Sequence, residues 1–355
     1  MLAGLKMSRE RNMSVLKVLS AAPAILSAQK SFRSNAAIGS TALNAKGLHR
    51  RRVALAAAMA ARRRKALQSR IHPAEREAFD RDGIVVRENA LPRDLFRELQ
   101  RELASTPLPA WELRQGSAID RTFPVPARPD GTAFGELSAF IRRNDVKDLI
   151  AYVAGRAGHT IAMLQTVAVT PEDGAADPQA NFHADTFHSN AKFWLFLHDV
   201  PEQDGPFTYV PGSHILTPER LNWEDDQAKH WSSRGDEHHQ AGSFRVHSDE
   251  LSALGYGAPR TFPVKANTLV VADTFGFHRR TPSTRPTTRT ALYGMSRRDP
   301  FMPWNGLDFY DMPPLRGRAF RIHLAMEDRR AAQGKGVTYH NVGPQIAMLS
   351  APSAG

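Results

Sequence analysis

The sequence predicts an α+β fold built on an antiparallel sandwich or barrel, and three observations carry that expectation. Between Thr160 and Ser296 short β-rich runs recur (TIAMLQTVAV, KFWLFLHDV, PFTYVPG, TFPV, TLVVADTF, RTALYGMS), separated by Gly, Pro, Asn and Asp breakers. Ahead of them, from His72, apolar residues fall at helical spacing. The 355 residues are 41% apolar and 8% aromatic, enough for a sizeable core in one large domain or two ordinary ones.

Residues 1–71 read as a basic extension, disordered or targeting. Residues 1–74 carry 15 Lys and Arg against one acid, Glu10, with clusters at Arg50-Arg51-Arg52 and Arg62-Arg63-Arg64-Lys65. The other 281 residues hold 32 basic and 35 acidic side chains, so the net charge of +11 belongs to the extension, and no specific nucleic-acid partner is expected for the rest. Three readings of the extension compete. Its acid-poor, Arg- and Ser-rich composition matches a mitochondrial-type transit peptide; its charge suits contact with an anionic membrane surface; and Met7 and Met13 are alternative starts that would make it non-native. Without targeting, a cytoplasmic protein is expected. The longest apolar run, Val53 to Ala61, is about half of what a membrane span needs.

The domain is expected at 72–330. HPAEREAFDRDG reads as a helix ending at Gly83, GIVVREN as a strand, and LPRDLFRELQRELAST as a helix with Leu95, Phe96, Leu99 and Leu103 on its apolar face. Trp111 to Gly131, proline-interrupted and without a period, reads as a loop; Phe134 to Arg143 and Val146 to Arg156 read as helices. The polar insert 215–259 interrupts the strand series, where it would cover one mouth of the barrel. Residues 331–355 are expected as a C-terminal tail with a frayed SAPSAG end.

The chemistry starts from an absence. With no cysteine there are no disulfides, thiolate clusters or thiol nucleophiles, and His, Asp and Glu remain as strong metal ligands. In NFHADTFHSN, His183 and Asp185 stand two apart, so in extended backbone both point to one side. His278, directly after the apolar run TLVVADTFGF, is the third candidate, because the end of one core strand and the start of another meet across a barrel. Two His and one carboxylate on one face of an ion leave three positions open, which suits Fe(II) or Mn(II) taking a bidentate co-substrate and O2. Eleven residues after His278, Arg289 opens a strand; a hairpin would set its planar guanidinium deeper in the barrel as a fork for a dicarboxylate, with Arg285 as the alternative anchor.

From about Glu75 to Arg298 these features resemble the phytanoyl-CoA dioxygenase family of Fe(II)- and 2-oxoglutarate-dependent oxygenases. The resemblance is carried by AFDRDGIVVRENAL, the HAD triplet, DGPFTYVPGSH from Asp204 to His214, His278, and the Arg eleven residues on. It implies a double-stranded β-helix, or jelly-roll, core and iron held by His183, Asp185 and His278. It also implies that Arg289 anchors the C5 carboxylate of 2-oxoglutarate, with Trp194 and Gln165 lining the co-substrate pocket. The implied activity is hydroxylation of a small molecule with release of succinate and CO2, ascorbate serving as supporting reductant. Asp185 implies oxygenation rather than halogenation, since related halogenases have a small residue there. There are departures: the family's hydroxyl residue two after the distal His is Arg280 here, and its upstream basic contact is matched only by spacing, at Arg128. The competing reading is a non-catalytic double-stranded β-helix protein that binds a metabolite or partner and docks through its basic tail. A binder has no reason to keep two His, one Asp and one Arg together.

Overall fold

Twenty residues without proline or glycine, rich in alanine, form the first long helix, α1 (Leu48–Leu67). The computed structural model describes residues 17–171, 177–233, 236–296, 299–303, 310, 312 and 315–348. Over its described part, 17–71, the extension is not disordered but packed on the domain. Phe32, Ile38, Val53, Ala56, Ala60 and Leu67 are buried there, and so are His49, Arg52 and Arg63. Each of these three buried side chains has partners. His49 Nε2 lies 2.9 Å from Glu224 Oε2; Arg52 donates to the carbonyls of Ile25, Ser27 and Gln29; Arg63 donates to those of Pro300 and Met302. Composition misleads here because half of the buried apolar residues of α1 are alanine and Arg52, Arg63 and Arg64 donate to internal carbonyls. The alternative starts Met7 and Met13 and the SAPSAG end lie outside the described residues.

The domain proper follows the expected order at first: α2 (Pro73–Asp82), β1 (Ile84–Arg87) and α3 (Arg93–Ser105). Pro73 starts α2 and Gly83 stops it in the left-handed region (φ 82°), its N–H donating to Phe79 O at 2.7 Å. A Cβ at Gly83 would stand 2.5 Å from His214 Nδ1, so space as well as φ requires glycine. Phe96, Leu99 and Leu103 form the buried stripe of α3.

Trp111 to Gly131 is not simply a loop. It contributes most of a hairpin, β2 (Pro107–Gln115) and β3 (Ala118–Phe123), and the prolines that suggested a loop, Pro124, Pro126 and Pro129, all come after it. Then come α4 (Ala133–Arg142), α5 (Asn144–Val153), β4 (Ile161–Val169), β5 (Ala191–Phe196) and β6 (Phe207–Tyr209). The insert holds α6 (Pro218–Lys229) and α7 (Ser248–Ala253). After it run β7 (Arg260–Phe262), β8 (Thr268–Asp273), β9 (His278–Arg280), β10 (Thr287–Ser296), α8 (Ala319–Ala332) and β11 (His340–Ile346). The expected C-terminal tail is therefore structural: β11 pairs with β2, and Ala347 O accepts hydrogen bonds from Thr166 Oγ1 at 2.7 Å and Thr290 Oγ1 at 2.9 Å. HNVGPQI carries no strand signature, and its strand comes from the neighbour it pairs with.

The strands make two antiparallel sheets, β1-β8-β5-β10-β4-β3-β2-β11 and β7-β6-β9, the jelly-roll arrangement. Alternation along β5 divides its side chains: Phe193 and Leu195 join the helices α3, α4 and α5 in the main core, while Lys192, Trp194 and Phe196 line a cavity between the sheets.

A chain starting at residue 72 would leave Asp273 buried without Arg64 and would lose the packing of Phe32, Ile38 and Val53. Breaking the buried pair alone costs about 3–5 kcal/mol and each lost apolar side chain about 1.5–3 kcal/mol, so thermal unfolding should show Tm lowered by about 10 °C or more. An unchanged Tm would show that residues 17–71 only rest on the surface. A second expectation concerns His214, whose pKa burial, then Arg64, pushes down to about 3. The folded protein holds this imidazole neutral, so its contribution is complete above about pH 6.5 and is lost as pH falls toward 3. Tm measured from pH 7 to pH 4 should fall less steeply in His214→Gln than in the parent.

Candidate metal centre

His183 and His278 face each other in an antiparallel bridge, each N–H donating to the other's carbonyl at 3.0 Å. Their rings come to 4.4 Å between centroids. Asp185, two residues on, is pinned by its N–H to Thr274 O at 2.9 Å. The nitrogen and carboxylate donors of His183, Asp185 and His278 all lie within 4.8 Å of one another, and all three residues are buried.

The ring nitrogens have distinct jobs. His183 Nδ1 donates to Asn181 O at 2.7 Å and His278 Nδ1 to Gly276 O at 2.9 Å, which fixes both tautomers and turns the two Nε2 atoms to the cluster. His183 Nε2 is buried with no hydrogen-bond partner among the described residues. An orphaned imidazole nitrogen facing a second imidazole and a carboxylate fits one divalent cation, and the N,N,O donor set suits Fe(II) or Mn(II).

Electrostatics agree. Burial, then the neighbouring His278, holds the pKa of His183 well below its usual value, and burial brings His278 down to about 4. For Asp185 burial pushes upward, but Lys192 and the two imidazoles outweigh it and hold the carboxylate well below its usual range. The histidines are neutral and the carboxylate is charged, the states that metal binding needs.

A cavity of about 310 Å³ opens beside the cluster, lined among others by Asp185, His278, Gln165, Lys192, Trp194 and Arg289. All six residues singled out in the sequence therefore meet here: five line the cavity, and His183 joins through the cluster. Arg289 donates from Nη1 to the carbonyls of Asp204, at 3.2 Å, and Gly205. Burial, then Arg280, brings its pKa to about 9. Arg285, the alternative anchor, stands outside, exposed and doubly bonded to Asp204 at 2.6 and 3.1 Å. Arg128 does not line the cavity. Arg280 does, held by Asp177 at 3.0 Å and near Asp120 at 3.6 Å.

Sequence reading missed Lys192, whose Nζ lies 2.6 Å from Asp185 Oδ2. A signal existed: Lys192 stands two before Trp194 in an apolar strand, so alternation sends both to one face. It also missed the contacts from outside the domain. Lys30 Nζ donates to Asp185 O at 2.5 Å, the Arg52 guanidinium stacks 4.1 Å from the Phe187 ring, and Arg64 joins Ser189 Oγ (3.0 Å) to Asp273 Oδ2 (2.8 Å). No local pattern announces such partners.

No curated protein matches the chain. Solved structures of similar shape include the epimerase SnoN in complex with Fe3+, alpha ketoglutarate and nogalamycin RO, at 18% identity, covering 65% of this chain and 83% of that chain, with a TM-score of 0.41. EctD from S. alaskensis with bound Fe is 15% identical over 64% of this chain and 76% of that chain, with a TM-score of 0.38. HygX from Streptomyces hygroscopicus with nickel and 2-oxoglutarate bound is 14% identical over 63% and 87%, with a TM-score of 0.40. The family model for phytanoyl-CoA dioxygenase (PhyH) matches residues 79–252, which include His183 and Asp185, while His278 and Arg289 lie beyond the match. Residues 79–252 are thus a phytanoyl-CoA dioxygenase family domain, and the chain is an Fe(II)- and 2-oxoglutarate-dependent oxygenase.

Proposed function

We propose that this oxygenase is a hydroxylase, placing one oxygen atom of O2 on a C–H carbon of a small molecule bound in the 310 Å³ cavity. One observation carries the proposal: the orphaned Nε2 of His183, beside His278 and Asp185, belongs to a site whose cavity wall also presents Arg289. His183, Asp185 and His278 would hold the iron. With 2-oxoglutarate bound, the iron supplies the oxidising chemistry, with succinate and CO2 as co-products and ascorbate as supporting reductant.

The chain's own residues then have separable tasks. Asn181 O and Gly276 O hold the imidazoles in the tautomer that offers Nε2 to the metal. Lys192 keeps Asp185 ionised and oriented. Arg289 would bind the far carboxylate of 2-oxoglutarate, replacing weak carbonyl contacts by a charge-assisted pair. Trp194 and Gln165 would shape the co-substrate side of the cavity, Trp194 with its ring 5.0 Å from that of Phe207, so that bulk water is kept out. For the basic extension, the internal contacts of Arg52, Arg63 and Arg64 support a structural role over docking on membrane or nucleic acid.

Incubation with Fe(II), 2-oxoglutarate, ascorbate and a metabolite mixture should yield succinate together with a product heavier by one oxygen atom. Tight co-substrate binding with no succinate from any mixture would favour the non-catalytic reading. Mn(II) at about 100 times its Kd should stabilise the protein by about 2.7 kcal/mol, a rise in Tm of about 5 °C, and Asp185→Ala should abolish that rise. Arg289→Glu should keep the Mn(II) shift while succinate formation falls about 100-fold or more; unchanged turnover would remove Arg289 from its role.

A further inference from the structure

A second cavity, of about 530 Å³, shares no lining residue with the metal cavity among the described residues. The two adjoin: Ile161 and Phe320, on its wall, belong to the same apolar cluster as Tyr293 and Tyr339, which line the metal cavity. Among the described residues its lining is richer in cations than in acids: Arg70, Arg142, Lys147 and Arg316 stand with Asp148, which lies 3.9 Å from Arg70.

Arg142, the last residue of α4, is the centre of this arrangement. Its Nη1 donates to Ala127 O at 2.8 Å, but its Nη2 is buried and has no hydrogen-bond partner among the described residues. Leaving such a donor unmet costs about 1–3 kcal/mol, more for a charged group. Burial lowers the pKa of Arg142, and the charges that add to this are Arg128 and Arg316, both of its own sign. Burial and like charge both disfavour the cation here, and an arriving anion would relieve both. Val125, Ile141 and Phe320 supply apolar wall beside the guanidinium, so the cavity suits more than a bare inorganic ion.

We propose that this cavity is a second ligand site that takes a small organic anion, a phosphate ester or a carboxylate with an apolar body, its head group on the free edge of Arg142. Arg128 and Arg316, whose charges act on Arg142, add long-range attraction. The ligand need not be the oxidised substrate, and the site does not depend on the metal reading.

Calorimetric titration of the full chain with hexyl phosphate and with hexanoate tests this, with Mn(II) and 2-oxoglutarate present to occupy the metal cavity. At least one probe should bind with Kd of about 1 mM or tighter, and the tighter one identifies the preferred head group. Arg142→Ala should weaken binding about tenfold or more. Arg128→Glu, at an exposed position whose charge acts on Arg142, should also weaken it and serves if Arg142→Ala does not fold. The proposal is overturned if neither probe binds at about 10 mM, or if the Arg142 and Arg128 variants bind as the parent does. If the parent fails to bind Mn(II) and 2-oxoglutarate yet binds a probe through Arg142, the oxygenase site reading fails and this one stands.

Discussion

The reciprocal pair of backbone hydrogen bonds between His183 and His278 is the constraint on which the rest of the site depends. In an antiparallel pair of this kind, facing residues send their side chains to the same side. Neither imidazole can turn away without breaking both bonds, and each ring is locked again at Nδ1 by a carbonyl two residues earlier in its own chain. Asp185 then needs only to continue in extended form, and its N–H on Thr274 O ensures that it does. The cluster is thus set by main-chain geometry where the His183 segment meets β9, with little left to side-chain chance.

Charge placement follows from the dry space between the two sheets. Burial raises the energy of every ion there, and two pairs are matched directly: Asp185 with Lys192 at 2.6 Å, and Arg280 with Asp177 at 3.0 Å. Arg289 instead donates to the carbonyls of Asp204 and Gly205, dipoles that stabilise a cation less than a carboxylate does, while burial, then Arg280, brings its pKa to about 9. A dicarboxylate therefore finds both of its ends provided for, a cation-binding cluster at one and an under-compensated guanidinium at the other.

Around this centre the N-terminal arm acts as an outer layer. Loops that carry metal ligands have backbone groups that no ladder satisfies, and arginine, with five donors in a rigid fork, can tie several together. Arg64 reaches Tyr152 O, Val153 O, Ser189 Oγ and Asp273 Oδ2, linking α5, the loop after Asp185 and the end of β8. The most basic stretch of the chain is in this way part of the packing of the site.

What the amino-acid order determined by itself is local. The i,i+2 pairing of His183 with Asp185, the runs that became β4, β5, β8 and β10, the stop at Gly83 and the lack of any thiol ligand follow from side-chain period and residue chemistry within a few positions. The family motifs added His278 and Arg289 at a distance. Tertiary structure decided the rest. It made strands of 107–115 and 340–346 by giving their backbones partners, chose Arg289 over Arg285 for the cavity, turned Lys192 onto Asp185, and folded 17–71 onto the domain. The physical reason is that period and propensity report how a segment meets water, whereas a hydrogen bond to a distant carbonyl or carboxylate leaves no mark on the residues beside its donor.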